Sequence, residues 1–76
     1  MTKTNKVAAA LADYATVYRA YVMSKETPSF NPELEIQFAT ADVFNSVKHL
    51  NEETIIETIN DETLYLQEKM ARKAAA

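Results

Sequence analysis

The sequence predicts an all-helical chain of three helices, near residues 4–24, 32–50 and 51–73, packed as a small single-domain bundle that a second copy completes. Three observations carry that expectation. The 76 residues include no glycine, against an average of about 7%. Glycine serves turns, bulges and close backbone approach to phosphate, so its absence removes tight primed hairpins, P-loops and dinucleotide fingerprints together. The chain is instead rich in Ala, Glu, Leu, Lys and Met, all strong helix formers. Finally, apolar residues recur at three- and four-residue spacing in three stretches, the period of an amphipathic helix.

The first helix begins at a cap, Thr4 or Asn5, both residue types that accept a hydrogen bond from the first turn. Val7, Leu11, Tyr14, Tyr18, Tyr21 and Val22 share one face, with Ala8 and Ala15 beside it where a neighbouring helix could come close. The opposite side, Ala9, Ala12, Thr16, Ala20 and Met23, is also weakly polar, and only Asp13 and Arg19 are charged between 7 and 24. A helix apolar all round is buried on several sides. Three short helices can hardly bury it so. The expectation is therefore a homo-oligomer with Leu11, Tyr14, Tyr18 and Tyr21 at the contact.

Residues 25–31 form the one clear loop, because Pro28 drives Thr27 out of the helical region. Asn31 followed by Pro32 then reads as a cap residue with proline at the first helical position. Ile36, Thr40, Val43, Val47 and Leu50 form the inner stripe of the second helix. The alternation Leu34-Glu-Ile-Gln-Phe38 also suits a strand, but a lone strand would have no partner in this chain. Asn51 starts the third helix, with Leu50 and Ile55 at the positions of a hydrophobic staple. Ile56, Ile59, Thr63, Leu66 and Met70 repeat in a 3-4-3-4 seam, as in a coiled coil. The junction at 50–51 reads equally as a sharp corner or as a kink in one long helix.

A chain of this size has a limited core, and below about 70–80 residues such a core rarely supplies more than about 3–5 kcal/mol. Disulfides are excluded, since there is no cysteine, and His49 is the single histidine. The lack of cysteine suits a reducing compartment. The first apolar run is too polar for a signal peptide or a membrane span. A cytoplasmic location, with no membrane association, is expected.

Catalytic chemistry is not expected. Acid–base work wants titratable groups held at separated pKa values in a concave site, and His49 reads as a surface residue near a helix C-terminus, where a cation is favoured. Ser24, Ser29 and Ser46 lack a histidine at nucleophile spacing. Glu52/Glu53 and Asp61/Glu62 lack the spacing of a calcium loop. No catalytic residue, metal ligand or cofactor is assigned.

Charge and exposed apolar residues say more. Between Glu33 and Glu68 nine acidic residues stand against one basic residue, Lys48, while residues 69–76 carry three cations and no acid. Acids in first turns and cations in last turns complement helix dipoles. That leaves Glu57, Asp61 and Glu68 as an acidic stripe on the third helix, with Leu64 and Tyr65 beside it and off the core seam. On the second helix, Leu34 and Phe38 fall opposite Ile36, Val43 and Val47. Large apolar groups ringed by charge are typical interface anchors. The expected function is a small protein-binding protein acting on another protein with a basic patch. An inhibitor, adaptor or assembly factor, of the kind phages and mobile elements encode, fits that size. The rival is a helix-turn-helix-like regulator associated with nucleic acid. Such a motif presents Arg and Lys from its second helix, whereas here that helix opens with Glu52, Glu53 and Glu57. Direct nucleic-acid binding is therefore not expected.

Overall fold

The computed structural model describes residues 5–25 and 30–75 and contains three helices, α1 (Lys6–Met23), α2 (Pro32–Val47) and α3 (Glu52–Ala75). The expected start at Thr4, and Thr27, Pro28 and Ser29 of the loop, lie outside the described residues. Each helix start is set by an asparagine. Asn5 accepts from the Ala8 N–H at 3.0 Å, Asn31 from Leu34 at 3.2 Å and Asn51 from Thr54 at 2.8 Å. These bonds satisfy donors that a helix cannot satisfy within itself. Residues 34–38 are helical, so the strand alternative is overturned. The Asn31 cap and Pro32 nucleate helix before the alternation can act. The second helix also ends three residues earlier than expected. The chain leaves it at Val47, and the Leu50 N–H reaches back to the Val47 carbonyl at 2.9 Å. The junction is thus a sharp corner over 48–51, not a kinked continuous helix.

Contacts fix the order of packing. Tyr14 faces Glu62, Tyr21 meets Lys69 and Ser24 meets Lys73, so α1 and α3 run parallel, in step. Arg19 forks onto both carboxylate oxygens of Glu33, and Lys25 reaches Glu35 at 3.0 Å. These pairs tie the C-terminal end of α1 to the N-terminal end of α2, which runs antiparallel to it. The bundle is up-down-up. At about 1.5 Å per residue the 24 residues of α3 span about 36 Å, which accounts for most of the 42 Å long axis.

The core is assembled from Ala10, Tyr14, Val47, Ile55, Ile59 and Leu66, with Leu11, Val17, Tyr18, Tyr21 and Val43 packed against it. Ile59 is fully buried at its centre. Thr40 and Thr63, polar members of the expected stripes, donate to the carbonyls four residues back, at 2.8 and 2.9 Å. That bond lets a hydroxyl sit partly inside a bundle.

Of the four residues expected at a contact between copies, Tyr14 is withdrawn from the surface, whereas Leu11, Tyr18 and Tyr21 are half-buried. Tyr14 is only 5% exposed, and Leu11, Tyr18 and Tyr21 pack on the chain's own core. The outward side of α1 is Ala8, Ala9, Ala12, Thr16, Ala20 and Met23. Most of these side chains are short and present little apolar area, so α1 sits at the surface on that side at small cost. The apolar residues there were many, but the apolar area is small. The alanine at close helix approach is Ala10, not Ala8, which is exposed.

Candidate functional site

Leu34 and Phe38 on the outer side of α2, and Phe30 just before it, are exposed apolar groups, as are Met23, Leu64 and Tyr65 elsewhere. Leu34 and Phe38, four residues apart, lie along one line of the helix, and Phe30, which precedes the Asn31 cap, lines the same cleft. Phe30, just before the Asn31 cap, is fully exposed; Leu34 and Phe38 are 43% and 62% exposed. The other line of the same helix, Ile36 and Val47, is buried. A cleft of about 450 Å³ runs beside the outer row, with Tyr18 of α1 on its far wall and Glu35 and Asp42 on its rim. A buried Phe or Leu side chain contributes roughly 1.5–3 kcal/mol over an exposed one. Leaving these three in water forgoes that stabilisation within the chain.

Phe30 carries no periodic signal in the sequence, because it stands outside the helix, before the Asn31 cap.

The other expected binding residues are also on the surface. Glu57, Asp61, Leu64, Tyr65 and Glu68 are all exposed. They do not converge with Leu34 and Phe38, however, and Leu64 and Tyr65 line neither of the two hollows described here. The Tyr65 ring is partly taken by the Lys69 ammonium, 5.4 Å from its centroid.

The second hollow, of about 260 Å³, lies where the C-terminal ends of α1 and α3 meet. Tyr21, Ser24, Lys25, Lys69, Arg72 and Lys73 wall it. Lys69 donates to the Tyr21 hydroxyl at 3.3 Å, and that bond raises its pKa above the ordinary lysine value. Lys73 donates to the Ser24 carbonyl at 3.2 Å. The Tyr21 ring lies under two ammonium groups, Lys69 at 4.9 Å and Lys25 at 5.4 Å, an arrangement its π-face favours. Parallel helices bring two negative dipole ends together here, which helps to gather the cations.

The groups considered for catalysis are dispersed. His49 is exposed on the α2–α3 corner. The Ser24 and Ser46 hydroxyls donate to backbone carbonyls three residues back, and Ser29 lies outside the described residues. Among the described residues no three of His, Cys, Asp and Glu gather as metal ligands, and no helix is long and apolar enough to cross a membrane. Comparison with protein-family models, curated proteins and solved structures finds no match.

Proposed function

We propose that this chain is a non-enzymatic protein-binding protein, an inhibitor, adaptor or assembly factor, whose binding face is the outer row of α2. The observation that carries the reading is the exposure of Phe30, Leu34 and Phe38 together along an open cleft. The occupant is an amphipathic helical segment of another protein. Its apolar residues, three or four apart, seat against the row, as in other helix-in-groove contacts. Its flank is basic beside Asp42, which lines the cleft where no cation does. Complementary charge of this kind sets orientation and speeds encounter.

The test is selection from a displayed library of helical peptides, repeated with Leu34→Asp and Phe38→Asp. Wild type should enrich basic amphipathic peptides, and both variants should lose them. Phe38→Ala should weaken a selected peptide by about 1–2 kcal/mol, in the range of interface anchors. It should leave folding stability within about 0.5 kcal/mol, as for other surface changes. Enrichment unaffected by either aspartate would defeat the proposal. Sedimentation showing a dimer that Phe38→Asp dissociates would assign the row to a second copy. A retained shift of duplex DNA at moderate salt would favour the nucleic-acid-associated regulator.

A further inference from the structure

We propose that the hollow between the C-terminal ends of α1 and α3 binds a compact, multiply charged oxyanion, either a phosphate ion or a phosphate ester. Four cations wall it, Lys25, Lys69, Arg72 and Lys73, and no carboxylate is among the described residues that line it. Balancing two helix dipoles accounts for some of this charge. Each helix end amounts to roughly half an elementary charge, so two ends offset about one cation of the four, and Glu35, paired with Lys25, offsets a second.

The donors are held but not used up. An ammonium has three N–H donors. Lys69 is anchored through one of them to the Tyr21 hydroxyl, Lys73 to the Ser24 carbonyl and Lys25 to Glu35. Each keeps others to aim into the hollow. The Tyr21 oxygen accepts from Lys69, which leaves its own hydrogen to donate. Arg72 makes no hydrogen bond or ion pair among the described residues, so its planar fork is available for bidentate contact with an oxyanion. At about 30 Å³ per water, the 260 Å³ hollow holds a phosphate group with several waters. The site shares no lining residue with the α2 cleft and touches it only through the Lys25–Glu35 pair, so variants at Lys69 and Arg72 test it apart from the cleft.

The test follows amide resonances while pyrophosphate is added at fixed ionic strength, with sodium chloride as the matched control. Saturable one-to-one shifts confined to residues 21–25 and 69–73 are expected. Lys69→Gln and Arg72→Gln should each weaken binding about tenfold, the loss of one charge-assisted hydrogen bond. Lys6→Gln and Lys48→Gln should change it little. Melting curves establish that every variant is folded. Orthophosphate and a nucleoside triphosphate, run in parallel, distinguish the source: equal affinity assigns the site to the free ion, tighter binding of the nucleotide to an ester. Shifts that fail to saturate, that chloride reproduces, or that Lys6→Gln weakens as much as Arg72→Gln would overturn the site.

Discussion

Tyr14 shows how one residue can be read correctly for period and wrongly for role. Its spacing put it on the apolar face of α1, and so it is, but its ring lies inside this chain and not against another. Burial is the main cause that pushes its phenol up to about 12, with Tyr18, Glu62 and Asp42 adding unfavourable charge. A group whose folded pKa is raised contributes stability in full below its unfolded pKa and loses it as pH rises through the folded one. For Tyr14 that window runs from about 10, its ordinary value, to about 12. Urea denaturation across this window should show stability falling with pH, and Tyr14→Phe should flatten the fall. The absorbance difference between the two proteins should place one late-ionising phenol near the upper limit. An equally steep fall in the variant would show that Tyr14 is not the group responsible.

At the scale of the element, the starts of the helices and the end of α1 were legible, and the end of α2 was not. Asn5, Asn31 and Asn51 are local signals, a side-chain oxygen and the N–H groups just beyond it. Ends usually announce themselves with a left-handed residue such as glycine. Here no described residue has positive φ, and the caps Ser24 and Lys48 stay right-handed. Nothing in the sequence stops the second helix at Val47, so its periodicity runs on to Leu50. The strand alternative at 34–38 failed for the reason that favoured the starts, since Asn31-Pro32 commits the following residues to a helix. The caps should be worth measuring separately. Asn31→Ala and Asn51→Ala should each cost about 1 kcal/mol, the usual loss at this position, read from the denaturation midpoint. Asn31→Gly should cost only a few tenths. A loss in Asn51→Ala no larger than that of an exposed surface change would mean that packing alone holds the corner.

Across the whole molecule, charge was legible along the chain but not in space. The acidic middle and the basic last turns are plain in the sequence, yet nothing there places Lys25 beside residues 69–73. That requires α1 and α3 to be parallel, which follows from a sharp corner at 48–51 instead of a straight continuation. The acidic stretch should act on a basic partner mostly through the rate of encounter. Reversing Glu57 and Asp61 to Lys should slow association with a selected basic peptide and flatten its dependence on salt, while dissociation changes less. The screening length shrinks from about 10 Å at 0.1 M to about 3 Å at 1 M, so wild-type association should slow over that range. A wild-type rate indifferent to salt would remove the acidic stretch from recognition. The corner itself carries a separate implication. Lys48 leaves α2 with helical angles, φ −60° and ψ −19°, and neither glycine nor proline lies between it and α3. The bend is therefore imposed by the Asn51 cap and by the apolar faces that α1 gathers together. Without α1 the Asn51 cap would still turn the chain, but the helix that packs against both α2 and α3 would be gone, and their inner stripes, Ile36 and Val47 on one and Ile55, Ile59 and Leu66 on the other, would stand largely in water.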